Sequence, residues 1–433
     1  MRHYHLFAAL VVLASISSAA SPREKTLYIF QGTNDGGEPR GGLINLAGNF
    51  FGTTYSGGAN GYKGTVFRLS PPSSRGGSWT ETVLYDFPNF STGINPWARL
   101  TSDKAGNLYG TTWLGGSGAD GVVFRLAPPR AQGGSWTYTV LYNFKGGVDG
   151  GQPQASVVFD EEGNLYGTTE VGGALNQCIG GCGVVFELSP SSDPNALWNE
   201  TVLYKFPSNC NGFCAGTLSG VTLDQSGNVY GTTDYGGTGF CGGGGCGTVF
   251  RLKRPATKGG AWKHQVLYSF LAGTDGAAPA ANLIFDSRGN LYGTTMFGGT
   301  ASCGGCGTVF RLTPQRDPQK PWLETVLYRF NGGEDGYIPE SSVVLDQTGA
   351  VYGTTAAGGG TGCESKGCGI IFKLTPSGKS WVEMVLHRFT GGDGFVPIGS
   401  VVRVGSKITG VTQFGGGAKV CTIGCGTVFQ ITP

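Results

Sequence analysis

The fold the sequence predicts is all-β: a seven-bladed β-propeller with four antiparallel strands per blade. Three observations predict it. The tripeptide Gly-Thr-Thr begins at Gly52, Gly110, Gly167, Gly231, Gly293 and Gly353, with a degenerate seventh copy at Gly410-Val411-Thr412, each 57 to 64 residues after the last. Glycine makes up 80 of 433 residues without a Gly-X-Y period, which excludes collagen and points to many turns joining many short strands. No helical periodicity follows the first twenty residues.

Those twenty residues read as a signal peptide. Arg2 supplies the positive start, Leu6 to Ile16 the apolar run, and Ser18-Ala19-Ala20 the small residues of a cleavage site. The run is too short to span a bilayer. No Cys follows it to carry a lipid, and the last residues, Thr432-Pro433, bring no hydrophobic tail. The expected product is a single propeller domain over residues 21–433, secreted or periplasmic, with no membrane span after cleavage.

Each repeat holds four runs of strand-forming residues. The first resembles Ser156 to Asp160, the second Asn164 to Thr169, the third Gly247 to Leu252 and the fourth Glu324 to Phe330. In the fourth, a two-residue period puts Val326, Tyr328 and Phe330 on one face. The third is apolar on both faces apart from one charged site, such as Arg251, as a sheet sandwiched between sheets requires. Asp-x-x-Gly-Asn, as at Asp286 to Asn290, joins the first two runs as a hairpin. Repetition of such a unit around an axis makes propeller blades, whereas linear solenoid repeats are usually shorter. The chain also starts one strand out of phase: Thr26 to Phe30 is a fourth-type strand, and Gly426 to Ile431 a third-type strand. Closing the last blade with the N-terminal strand leaves no exposed edge.

The compound motif D-x-x-G-N-L-Y-G-T-T-x-x-G-G followed by G-T-V-F-R-L resembles the GloVer tandem repeats of secreted bacterial proteins, over nearly the whole predicted mature chain. The first copy departs from it at Leu46-Ala47-Gly48-Asn49, and the seventh at Ser406 to Thr412. The resemblance implies secretion and a tandem-repeat fold. It brings no activity and no catalytic residues.

The twelve cysteines form six close pairs: Cys178/Cys182, Cys210/Cys214, Cys241/Cys246, Cys303/Cys306, Cys363/Cys368 and Cys421/Cys425. An even count in an exported chain reads as disulfides pinning Gly-rich loops. Zinc is the sharper alternative, but the pairs fall on separate blades and no His accompanies them. After the leader only His264 and His387 remain. They occupy the slots of Glu81 and Tyr85 in another copy and read as packing substitutions. A Ser-His-Asp triad or a His-rich metal centre is therefore hard to assemble.

The acidic residues are the ligand-binding candidates. Gly-Gly-x-Asp-Gly recurs between the fourth strand and the next blade and places Asp35, Asp149, Asp275, Asp335 and Asp393 in equivalent loops. These loops are expected around the channel mouth, where carboxylates would hydrogen-bond sugar hydroxyls or bind Ca²⁺, with Asp335 and Asp393 the calcium candidates. The competing reading is architectural: Asp-Gly marks a turn, and the Asp caps its own backbone. Blades two and four, Pro88 to Pro96 and Pro207 to Gly216, lack the motif. Six tryptophans, Trp79, Trp136, Trp198, Trp262, Trp322 and Trp381, precede fourth strands and read as packing. Trp97 and Trp113 break that pattern, and Trp113 follows Gly-Thr-Thr, where other copies carry Tyr55, Glu170 or Met296. It is the stacking candidate. Asn89-Phe90-Ser91 and Asn199-Glu200-Thr201 match the N-glycosylation pattern.

Lys plus Arg number 30 and Asp plus Glu 28, with no basic run, so nothing points to nucleic acid. Two functions remain. One is a non-catalytic extracellular binding or scaffold module for a glycan or protein. The other is a carbohydrate-active hydrolase or lyase using paired carboxylates such as Glu334/Asp335 or Asp35/Glu38. Catalysis needs a unique constellation, and these acidic loops look alike, so the first reading is preferred. No cofactor is expected, calcium aside.

Overall fold

In the computed structural model, the described residues are 21–433 except 132, 175–180, 194–195, 208–218, 300–303, 318–319, 361, 364–365 and 419. The leader read over residues 1–20 lies outside them. Twenty-eight strands are described, in seven antiparallel four-stranded sheets. Six sheets take four consecutive strands each, as in blade 1: Ile44–Leu46, Asn49–Thr54, Thr65–Ser70 and Thr80–Asp86. The seventh joins Val402–Val404, Lys407–Thr412 and Thr427–Thr432 to Arg23–Ile29. Arg23 pairs with Thr432 and Ile29 with Thr427, so the N-terminal strand closes the ring. The first strand of every blade lines a central channel of about 750 Å³.

Each residue of Gly-Thr-Thr has a separate task. The glycine makes room for a ring: a Cβ on Gly52, Gly110, Gly231 or Gly353 would stand 2.6 to 2.7 Å from Cζ of the third-strand Phe67, Phe124, Phe250 or Phe372. The first threonine ties blade to blade, since Thr53 Oγ1 donates to Ala98 O at 3.1 Å and Thr111 Oγ1 to Ala155 O at 3.1 Å. The second stays within its blade. Thr54 Oγ1 donates to Ser56 O at 3.1 Å and accepts from Thr65 N at 3.0 Å. These buried threonine hydroxyls are thus paired, and the apolar third strands fill the space between sheets, Val309, Phe310 and Leu312 being fully buried.

The inner hairpins form where the sequence predicts, and the Asp of the motif caps the turn. Asp286 Oδ1 accepts from Arg288 N at 2.8 Å and Asn290 N at 2.9 Å, while Oδ2 accepts from Asn290 Nδ2 at 2.7 Å. This capping shortens the first strands. The expected run Ser156 to Asp160 contributes only Val158–Phe159 to the sheet, because Asp160 leaves the ladder to cap its turn. Blade 1, without the Asp, turns through Ala47 and Gly48 at φ 49° and 83°, as a two-residue hairpin demands.

The fourth strands depart from a simple two-residue period. In every blade the register shifts by one residue, as where Val309 pairs with Tyr328 but Phe310 with Val326. Leu327 is the extra residue, and such a bulge turns the strand. Leu327 and Phe330 are buried while Tyr328 is half-buried, in place of the expected shared face of Val326, Tyr328 and Phe330.

The six regular tryptophans are packing residues. Trp136, Trp198, Trp262 and Trp322 each meet a second-strand ring of the preceding blade, Phe51, Tyr109, Tyr166 and Tyr230, at 6.1 to 6.5 Å. Three disulfides are described, Cys241–Cys246, Cys363–Cys368 and Cys421–Cys425. Cys178, Cys210, Cys214 and Cys303 lie outside the described residues. Cys182 and Cys306 are buried at the matching position.

Candidate functional site

The recurrent aspartates are not gathered at the channel. Each carboxylate is held by the outermost strand of its own blade. Asp35 Oδ2 accepts from Tyr28 OH at 2.9 Å and Gln31 N at 2.8 Å. Asp275 takes Tyr268 OH and Leu271 N, both at 3.0 Å. Asp149 and Asp335 repeat the pattern with Tyr142/Lys145 and Tyr328/Asn331, and Asp393 with His387 and Thr390. The outermost strand stands three strand spacings, about 14 Å, from the channel-lining one. The expectation of a carboxylate ring at the mouth is therefore corrected: the Asp-Gly turn chemistry draws each side chain back to its own loop. In each suggested acid pair the glutamate is engaged by an arginine. Glu38 turns to Arg40 at 2.9 Å, and Glu334 to Arg388 at 2.9 Å on the exposed surface.

Two other positions of the repeat build the mouth, one following Gly-Thr-Thr and one following the proline of the connection. The residue before that proline is left-handed: Glu38, Asn95, Gln152, Ala278, Ile338 and Val396 have φ between 53° and 59°. Its N–H bonds back to the preceding blade, as from Glu38 N to Cys425 O at 2.8 Å, and its carbonyl accepts from the residue after Gly-Thr-Thr, as from Tyr55 N at 3.1 Å. The residue after the proline, such as Arg40 or Trp97, lies a few positions before the channel-lining segments at Ile44 and Arg99.

One sector of this mouth is aromatic and charged. The Arg40 guanidinium lies 3.9 Å from the Tyr55 ring centre and 4.1 Å from that of Trp97. Glu38 and the Gln413 amide oxygen, 3.0 to 3.1 Å away, hold its edges. The Trp113 ring completes the group at 6.4 Å from Tyr55 and 6.3 Å from Trp97. Its Nε1 is buried with no partner among the described residues. In blade 3, Gln154 Nε2 donates to Glu170. In blade 4, burial pushes the Asp234 carboxyl up to about 7, with Glu170 adding to the rise, and Asp234 Oδ1 has no partner among the described residues. Across the ring the same positions carry Met296, Ala356, Ala280 and Ile398. Glu340, on that side, is also pushed up to about 7 by burial.

Of the sequence candidates, Trp113 belongs to this sector, and Glu38 reaches it through Arg40. Arg40, Tyr55, Trp97, Gln154, Glu170 and Asp234 were not singled out as a group, although a column of residues following the seven Gly-Thr-Thr copies displays the asymmetry. His264 is a packing residue: it stacks on Tyr204 at 4.3 Å, and burial lowers its pKa to about 4. Among the described residues no helix is long and apolar enough to cross a membrane.

Comparison with solved structures returns low-identity neighbours. The PQQ-bound aldose sugar dehydrogenase of Streptomyces coelicolor is 11% identical at a TM-score of 0.40, over 96% of this chain and 99% of that one. A luciferin-regenerating enzyme is 13% identical at 0.44, over 77% and 90%. Trypanosoma rangeli sialidase is 11% identical at 0.39, over 96% and 59%. No curated protein sequence matches. The Gloeobacter/Verrucomicrobia repeat model matches residues 13–243, 137–366 and 217–433. With Gly-Thr-Thr in six blades, Gly-Val-Thr in the seventh and the partner Phe in all of them, and matches running to the last residue, the chain belongs to the Gloeobacter/Verrucomicrobia repeat family.

Proposed function

We propose that the protein is an exported, non-catalytic binding module that seats a glycan on the aromatic sector of its channel mouth. The observation that carries this reading is the cluster of Tyr55, Trp97 and Trp113, ring centres 5.3 to 6.4 Å apart, on one side of an otherwise regular ring. Aromatic faces offer apolar area with little conformational entropy to lose, and a few fixed polar groups beside them set orientation. Gln154, Glu170 and Asp234 supply hydrogen-bonding groups of the kind sugar hydroxyls need. Closely spaced disulfides support export, since such bonds persist in oxidising compartments.

A second reading rests on Asp234. A carboxyl held near neutrality beside Glu170 is the acid–base contrast that glycoside hydrolysis uses. A glycan-array screen of the purified protein, followed by reducing-sugar assays on any glycan bound, separates the two. Binding without turnover, lost in Trp97→Ala and Trp113→Ala and kept in Asp234→Asn, is expected. Sugar release abolished by Asp234→Asn would establish the enzyme reading instead. Binding unchanged by either Trp substitution would refute this seat.

A further inference from the structure

Around the rim a Tyr–Asp pair of one blade faces a residue on the outer strand of the next. Tyr28/Asp35, Tyr142/Asp149, Tyr268/Asp275 and Tyr328/Asp335 face Glu81, Glu200, Glu324 and Glu383 in this way. At the seam between blades 6 and 7 one member changes. His387 stands where the other blades have Tyr, its Nε2 2.7 Å from Asp393 Oδ2, and the facing glutamate is Glu24 of the closing strand. One ligand atom from each of Glu24, His387 and Asp393 lies within 4.8 Å of the others, and all three residues are half-buried.

We propose that these three residues form a zinc site that fastens the closing strand to blade 6. A phenol held above its usual pKa by burial and a neighbouring carboxylate, as Tyr28 and Tyr328 are, offers no ligand at neutral pH. An imidazole does, so this single substitution turns the rim arrangement into one nitrogen and two oxygen donors. Imidazole with carboxylates suits zinc and its neighbours in the transition series, three protein ligands leaving one position open. Calcium, which takes six to eight oxygens, is not served.

The outer partners are in place as well. Asp393 Oδ1 accepts from Thr390 N at 2.8 Å and Thr390 Oγ1 at 3.0 Å, which leaves Oδ2 to face the imidazole. Thr26 Oγ1 donates to Glu24 Oε1 at 3.2 Å, leaving Oε2 for the ion. Such contacts orient ligands. Metal binding would replace the proton shared by His387 and Asp393, and it would join the strand at Arg23–Ile29 to the blade beside it.

The test uses the full chain, stripped with EDTA and dialysed, then titrated with zinc chloride. One zinc per chain by metal analysis is expected, with a rise in melting temperature that calcium chloride does not reproduce. Cobalt(II) should give the visible spectrum of a four-coordinate ion. His387→Tyr restores the residue of the neighbouring rim positions, so it should keep the metal-free melting temperature and lose both the zinc increment and the cobalt spectrum. Glu24→Gln should weaken zinc binding by at least about tenfold. Absence of zinc uptake, or uptake that His387→Tyr leaves intact, overturns the proposal. Should His387→Tyr fail to fold, undiminished affinity in Glu24→Gln overturns it.

Discussion

Gly293 and Phe310 face each other across the second and third strands of blade 5, and a Cβ at Gly293 would stand 2.6 Å from Cζ of the ring. Phe310 is fully buried and has nowhere to retreat. Gly293→Ala should destabilise the protein by about 1–3 kcal/mol, as overpacking does. Adding Phe310→Leu should recover part of the loss, because the two residues share one space. Additive losses in thermal melts would show that the contact is not the reason for the glycine.

Stability should fall as the solution becomes alkaline. Burial, with Asp35, Asp149, Asp275 and Asp335 adding to it, pushes Glu81, Glu200, Glu324 and Glu383 up from 4.5 to about 7. The folded chain therefore binds protons that the unfolded chain has released, and stability drops as pH rises from about 5 to 8. Lys205, Arg329 and Arg388 temper this at Glu200, Glu324 and Glu383. His264, lowered to about 4 by burial, acts oppositely between 4 and 6.5, one group against these four and against Asp234 and Glu340, which burial also pushes up to about 7. Replacing the four glutamates by glutamine should raise the melting temperature at pH 8 and flatten its pH dependence. An unchanged profile would refute the account.

Phe30, fully buried at the end of the closing strand, packs edge-on against Phe67 of blade 1 at 5.1 Å. Phe30→Ala should cost about 3–5 kcal/mol by the cavity it leaves. Deleting residues 21–30 should go further and expose the strand Thr427–Thr432 as an unpaired edge, giving aggregation that grows with concentration. Light scattering and melting curves of the two variants check both outcomes.

Millimolar calcium should leave the melting temperature unchanged. The Asp335 carboxylate is engaged by Tyr328 OH, Asn331 N and Asn331 Nδ2, and the other four aspartates are tied in the same manner. Asp335→Asn should be tolerated, since Asn serves the same turn. A calcium-dependent rise that Asp335→Asn removes would reinstate the carboxylates as an ion site.

Strand order and ring closure were legible because they depend on repetition. Six copies of Gly-Thr-Thr, a degenerate seventh and a fourth-type strand at Thr26 to Phe30 leave little choice of architecture. The bulge at Leu327 was not, since one extra residue in a strand changes no residue type and only the partner's register reveals it. The five aspartates were correctly placed in loops and wrongly placed at the mouth, because a turn motif does not say toward which strand its side chain points. Glu170 was noted only as the counterpart of Trp113, and Asp234 not at all. They occupy a position where no two copies agree, and a search for what recurs gives it little weight.

The closing strand also sets a timetable. Arg23 pairs with Thr432, about 400 residues later in the chain. At roughly 5–20 residues per second of synthesis, the strand waits on the order of 20–80 s for its partner to exist. Until then Leu27 and Phe30 lack the half of their cluster that Val411, Cys425 and Val428 supply, and six sheets can assemble before the seventh has a full set of strands. Closure is therefore the most non-local pairing of the fold, and it cannot precede synthesis of the last strand. A premature encounter between the waiting strand and the open last blade of another molecule would use the same hydrogen bonds that complete the ring.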